Sequence, residues 1–214
     1  MTEHTHTHAH THGASYWDEH YAVVDPSWGT RPNAVVVEAV TALATTPGRA
    51  LDLGCGHGGD ALWLASLGWE VTAVDASSVA LARVAQAAAD AGLTDRVGVA
   101  QHDLQVSMPT GAFDLVTATY LHGPAEFPRS EVLHRAAGLV APGGLLLVVE
   151  HASVSPWAWK KDATFPPPAE SLASFDLGDG WVTERLAAPR RTATGPAGEV
   201  AEVTDNVIAV RREP

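Results

Sequence analysis

LDLGCGHGG, residues 51–59, is the stretch on which the reading of this chain turns. Its opening residues form a short apolar run of strand type, and glycines then stand at 54, 56, 58 and 59. Glycine adopts backbone conformations closed to other residues and lets a ligand come close to the main chain. Behind the glycines, Leu62, Trp63, Leu64 and Leu67 supply the apolar residues of a helix over about 59–67, which Gly68 closes. A helix starting at such a loop presents unpaired N–H groups to whatever lies above it. Gly54, Gly56 and Gly59 also satisfy G-x-G-x-x-G, the spacing of dinucleotide loops, a pattern that is unspecific when it stands alone.

Outward from this loop, strands and helices alternate. RALDLGCG (49–56), EVTAVD (70–75), RVGVAQHD (96–103), FDLVTATY (113–120) and GGLLLVVEH (143–151) read as strands. Helices are expected over about 34–45, capped by Asn33, from Ser77 or Ser78 to about 91, and over about 128–140. Continuous apolar strands belong to a parallel sheet covered on both faces. The expectation is therefore an α/β fold, a doubly wound and mostly parallel sheet of about seven strands with helices on both faces. After residue 151 the character changes. Residues 151–170, with Pro156, Trp157, Trp159 and Pro166, read as a loop or lid, and 169–176 as a short helix. WVTERLAA (181–188) and EVTDNVIAVRR (202–212) are separated by too short a span for a crossover, which predicts an antiparallel C-terminal pair.

The front of the chain reads differently. Residues 15–32, with Trp17, Tyr21 and Trp28, are expected to be a loop-rich lead-in broken by Pro26, Gly29 and Pro32. Residues 1–14 carry His4, His6, His8, His10 and His12 with almost no apolar side chains, so a disordered tail is expected, followed by one domain over 15–214. Alternating imidazoles can chelate metal, but a mobile tail fixes no coordination geometry, so no metal site is expected.

Composition narrows the partners. Thirteen Lys+Arg against 25 Asp+Glu give a formal net charge of −12, which repels phosphate backbones and anionic lipid heads. No stretch approaches the roughly 20 apolar residues of a membrane span. Cys55 is the only cysteine, so no intramolecular disulfide is possible. A cytoplasmic protein acting on a small molecule is expected, with neither a nucleic acid nor a membrane partner.

Three carboxylates sharpen the glycine signal. Asp52 lies at the carboxyl end of the first strand, where it suits a ligand carrying an ammonium group and repels a pyrophosphate. Asp75 ends the second strand, where an acid can accept both hydroxyls of a ribose. Asp103 ends the third, within reach of an exocyclic amine. All three reach the crevice above the sheet, although each could also cap a turn. Cys55 reads as a small buried loop residue, and Asp114 as structural.

These motifs resemble class I S-adenosylmethionine (SAM)-dependent methyltransferases. LDLGCGHG (51–58) is similar to their first motif, Asp75 in VTAVDAS to their second-strand acid, Asp103 in QHDL to their adenine-side acid, and LVAPGGLLLVVEH to their late strand. Within that superfamily, YWDEHYAVVDPSWGTRPN followed by ALDLGCGHGGDALWLASLGWEVTAVDAS looks like the tellurite-resistance and thiopurine methyltransferase group, with His57 and Gly59-Asp60 as departures. The resemblance implies a Rossmann-like fold, SAM as cofactor and S-adenosylhomocysteine as product. It implies cofactor contacts from Trp17 and Arg31 in the lead-in, from Asp52, Gly54, Cys55, Gly56 and Gly58, from Asp75, Ala76 and Ser77, from Asp103 and Leu104, and from Thr119.

In such chemistry a nucleophile displaces an electrophilic methyl. A soft anion needs no base, whereas an alcohol or protonated amine does. His122 is the candidate catalytic residue, with Tyr120, Glu126 and His151 nearby in the pattern. Three other readings compete. A nicotinamide-dependent oxidoreductase fits the glycine spacing and Asp75, but Asp103 argues against it and no Tyr-x-x-x-Lys pair is present. A metal- or metalloid-handling protein on a SAM-binding fold is motivated by the histidine tail. Nucleic-acid methylation expects an Asn/Asp-Pro-Pro-aromatic run after the fourth strand, where this chain has Thr119-Tyr120-Leu121-His122-Gly123-Pro124.

Overall fold

The computed structural model describes residues 12–27, 29–44, 46–123, 127–158, 161–195 and 197–214. In chain order the elements are α1 (His12–Val23), α2 (Ala34–Leu43), β1 (Arg49–Leu53), α3 (Gly59–Ser66), β2 (Glu70–Asp75), α4 (Ser78–Asp90), β3 (Val97–Gln101), β4 (Phe113–Thr119), α5 (Arg129–Ala137), β5 (Val140–His151), α6 (Pro168–Ala173), β6 (Trp181–Ala187), β7 (Arg190–Thr194) and β8 (Val200–Arg212). The sheet runs β3-β2-β1-β4-β5-β8-β6, with β7 paired to β8. β1 to β5 are parallel, and the three pairings of β8, with β5, β6 and β7, are antiparallel.

Side-chain alternation along the strands builds two cores, one on each face. On β5, Leu145, Leu147 and Val149 join Val36, Val40, Leu64, Trp69 and Val84, so α2, α3 and α4 cover that face. Leu146 and Val148 join Leu53, Val116, Val132, Leu133 and Phe175 on the other, under α5. Burial on both faces explains why these strands are continuously apolar.

The strand order reverses between β1 and β4, which opens a crevice at the carboxyl ends of the strands. Of the expected site residues, Asp52, Asp75, Asp103, Thr119 and His122 all lie at or just beyond those ends.

One expectation fails, and one short strand goes unread in the sequence. The lead-in is helical up to Val23 rather than a loop, and the helix starts at His12, inside the segment expected to be a disordered tail; the breakers Pro26, Gly29 and Pro32 all follow it, and one helix face finds partners on α4 and the glycine loop. The Gly- and Pro-containing span before β8 hides a short strand, β7, which pairs with the first residues of a longer β8; the sheet thus has eight strands. His4, His6, His8 and His10 lie outside the described residues, as do Trp28, Glu126 and Trp159. Among the described residues no helix is long and apolar enough to cross a membrane, and no group of three His, Cys, Asp or Glu could hold a metal.

Candidate functional site

The glycine loop is stitched to β2. The N–H groups of Gly54 and Cys55 both donate to the Val74 carbonyl, at 2.8 and 2.9 Å. Gly56 has φ +52°, and a Cβ there would stand 2.9 Å from the Tyr21 hydroxyl of α1. Gly58 caps α3 from the left-handed region without a side-chain bond. Cys55 is buried, and burial pushes its thiol well up, which fits a packing role. Gly59 is required by close approach: a Cβ would lie 2.4 Å from the Arg31 carbonyl oxygen and 2.7 Å from that of Gly29. Gly59→Val should therefore push residues 29–31 off α3 and cost about 1–3 kcal/mol, the usual cost of overpacking. A thermal melt checks this, and an unchanged melting temperature would contradict the close packing.

The crevice floor is acidic and buried. Asp52 is 2% exposed and accepts a 2.9 Å bond from the Thr117 hydroxyl. Burial, and then the neighbouring carboxylates of Asp60 and Asp75, push its pKa up to about 7. Asp60 accepts from the Asn33 N–H at 2.7 Å, yet burial raises its pKa as well. Asp75 is 6% exposed; its two oxygens accept from the N–H groups of Gly56 (3.0 Å) and Ser77 (2.9 Å), and burial again raises its pKa. Among the described residues none of these three carboxylates is in an ion pair. Buried anions without a counter-cation suit a ligand that carries positive charge.

Asp103 stands at the third strand end but caps its own turn, with Oδ1 accepting from the Gln105 N–H at 3.0 Å. Its carboxylate lies under Gly13 of α1, where a Cβ would come within 2.5 Å of Oδ2. Leu104 is buried beside it in the second core.

α1 closes the same crevice from above. The Asp18 carboxylate accepts from the Ser77 hydroxyl (2.7 Å), the Ser78 hydroxyl (3.2 Å) and the Val79 N–H (3.2 Å), so it caps α4 from outside that helix. The Ser77 bond leads in holding the Asp18 pKa below the ordinary carboxylate range. Ser77 is itself the N-cap, accepting from the Ala80 N–H, and Ala76 precedes it half-buried. Trp17 is half-buried and lies 5.7 Å from the His122 ring. Arg31 contributes its backbone against Gly59, while the residue as a whole is exposed.

At the far end, Thr119 closes β4 and Tyr120 turns with φ +51°. The Tyr120 hydroxyl donates to Asp205 Oδ2 (2.8 Å) and accepts from Asn33 Nδ2 (2.9 Å) and Arg191 Nη2 (2.7 Å). His151 stacks on the Tyr120 ring at 4.2 Å and 13°. His122 keeps an exposed edge, but the surrounding walls strip enough water to lower its pKa, and His151 and His20 add to the effect. Sequence reasoning missed Asp18, Asp60, Arg191 and Asp205, and took Asn33 only as a helix cap. It does cap α2 through Oδ1, but its amide nitrogen also ties that helix to Tyr120.

Residues 50–144, from β1 into β5, match the model of a methyltransferase domain. Over that span the chain is similar to methyltransferase domains. The chain is 38% identical over 104 residues to the ubiquinone biosynthesis O-methyltransferase of Caulobacter sp. (strain K31), covering 47% of this chain and 39% of that relative. It therefore spans well under two thirds of the length of that curated relative. The matched region and its flanks superpose on the protein of a structure described as "Conversion of a Disulfide Bond into a Thioacetal Group during Echinomycin Biosynthesis", with TM-score 0.71, 25% identity and coverage of 94% and 93% of the two chains. TehB from Haemophilus influenzae shares the fold, with TM-score 0.65 at 19% identity over 85% of this chain and 62% of that one.

Proposed function

We propose that this chain binds SAM along the carboxyl ends of β1, β2 and β3 and transfers its methyl group to a small-molecule nucleophile at the ends of β4 and β5. The observation that carries this reading is the set of crevice carboxylates, Asp52 and Asp75 buried and Asp60 half-buried, with no ion-pair partner among the described residues. A sulfonium and an ammonium on one ligand are the charges such a floor lacks. When bound, SAM supplies the electrophilic methyl group, and the thioether is the leaving group.

The chain's own residues then have separable tasks. Asp52 takes the ammonium end, with Thr117 fixing its orientation. Asp75 accepts from the backbone N–H groups of Gly56, Ser77 and Ala76 and keeps lone-pair capacity for the ribose hydroxyls. Gly54, Cys55, Gly56 and Gly58 let the ligand lie against the loop. Ala76, Ser77, Asp103 and Leu104 border the base. Trp17 and Arg31 cover the ligand from the lead-in, and Thr119 faces the reacting end. His122 lines the acceptor mouth beside Trp17. Alignment and exclusion of water are the protein's main contribution.

A formal charge of −12 disfavours a nucleic-acid acceptor. The overlap with a protein that acts on a disulfide supports sulfur among the acceptor atoms. We further propose that residues 15–214 act as one domain in the cytoplasm and that the histidine-rich segment is dispensable for transfer. The test is incubation with methyl-labelled SAM and a panel of thiols, phenols, selenite, tellurite, RNA and protein. Label transfer to a thiol or phenol is expected. Transfer to RNA or protein alone would overturn the small-molecule assignment.

A further inference from the structure

The acceptor end of the crevice holds polar groups that cofactor binding does not use. Asp205 is 0% exposed, and its Oδ1 is buried without a hydrogen-bond partner. Its other oxygen, Oδ2, accepts from the Tyr120 hydroxyl at 2.8 Å and from the Arg191 guanidinium. Arg191 and Asn33 in turn hold that hydroxyl, at 2.7 and 2.9 Å. Three residues from separate parts of the chain, Tyr120, Arg191 and Asn33, thus fix one buried carboxylate and leave one of its oxygens over.

That oxygen faces His151. The last residue of β5, His151, is the cross-strand partner of Asp205 on β8. Its Nδ1 stands 3.9 Å from Oδ1. This is longer than a hydrogen bond, but bonds of catalytic groups commonly tighten only with substrate in place. Tyr120 holds one face of the imidazole and Phe165 approaches edge-on at 6.2 Å, so the ring is positioned while its side chain stays 46% exposed. With Nδ1–H turned to the carboxylate, Nε2 carries the lone pair.

We propose that His151, positioned by Asp205, is the general base of the reaction, and that the acceptor is a thiol or phenol that arrives protonated; this rests on the methyl-transfer reading above. In the step, the acceptor's S–H or O–H proton passes to His151 Nε2 as its sulfur or oxygen bonds the methyl carbon. The methyl–sulfonium bond breaks with its electron pair left on the departing thioether sulfur. The imidazolium formed is neutralised by Asp205. Imidazole as a class, with pKa about 6.5, is matched to thiols near about 8.5 and phenols near about 10. His122 is less suited: among the described residues no carboxylate pairs with it, whereas Asp205 faces His151.

The test uses the full chain with two matched pairs of acceptors, benzyl mercaptan against pentafluorothiophenol and phenol against pentafluorophenol. The first of each pair is neutral at neutral pH and the second already ionised. In His151→Gln, transfer to the neutral acceptors should fall by a factor of about 100 or more, the usual worth of a general base. Transfer to the ionised ones should change less than about threefold, since they have no proton to lose. Histidine side-chain nitrogen NMR of wild type and Asp205→Asn should show the ring moving from the Nδ1–H toward the Nε2–H tautomer. An equal loss on both members of a pair, no loss on either, an unchanged tautomer, or transfer by the wild type to neither neutral acceptor would overturn the proposal. S-adenosylhomocysteine titration runs alongside: its failure to bind would sink the methyl-transfer reading itself, whereas intact binding confines the failure to the base.

Discussion

Asp52→Asn is expected to stabilise the ligand-free protein at pH 8 and to weaken its hold on SAM at the same time. Asp52 is buried beside two other acids, and its folded-state pKa is raised to about 7. Folding thus favours its protonated form. The stability it contributes is fully present below the unfolded value of about 3.9 and is lost as pH rises through about 7. Asparagine is neutral throughout and can keep the bond from the Thr117 hydroxyl, so it escapes that loss. It also removes the anion that faces the ligand's ammonium group, a charged hydrogen bond worth about 1.5–3 kcal/mol. Melting temperature against pH and calorimetric titration with SAM check the two halves. For the wild type, SAM affinity should weaken as pH falls below about 7, because protonation of Asp52 competes with the cation. In Asp52→Asn most of that slope should vanish. A lower melting temperature at pH 8, or unaltered SAM affinity, would count against the account.

Asp75→Ala should cost SAM binding on the order of 1–3 kcal/mol, the cost of leaving buried polar groups unpaired. The variant strips the acceptors from the Gly56 and Ser77 N–H groups and, on the proposed assignment, from both ribose hydroxyls. SAM and S-adenosylhomocysteine share that ribose, so both affinities should fall by a similar factor. Unchanged affinity for both would refute the ribose assignment. Loss for SAM alone would mean that Asp75 acts on the sulfonium instead.

The parts of the molecule legible in the sequence are those governed by local rules. β2 has the bounds read from its β-branched run EVTAVD, and Asn33 and Ser77 cap helices as their types predict. The antiparallel pairing of β6 with β8 follows from the short span between them. What stayed hidden depends on partners distant in the chain. α1 is held by Asp18 reaching α4 some sixty residues later, and β7 by the first residues of β8. Asp60 sits in a helix's first turn, where an acid needs no other explanation, and only the folded crevice reveals its burial against Asp52. Asp205 and Arg191 come from the last quarter of the chain and meet Tyr120 only through the sheet. Asp103 caps its own turn, a role that a strand-end acid can fill beside any other.

The central claim, that the crevice is built for a cationic nucleoside, is tested most directly by calorimetric titration of the purified protein with SAM, S-adenosylhomocysteine and NADH in parallel. The account predicts micromolar binding of the first two and none of NADH, whose pyrophosphate would meet Asp52 and Asp60. Binding of NADH without SAM would contradict it and return the glycine loop to a dinucleotide reading.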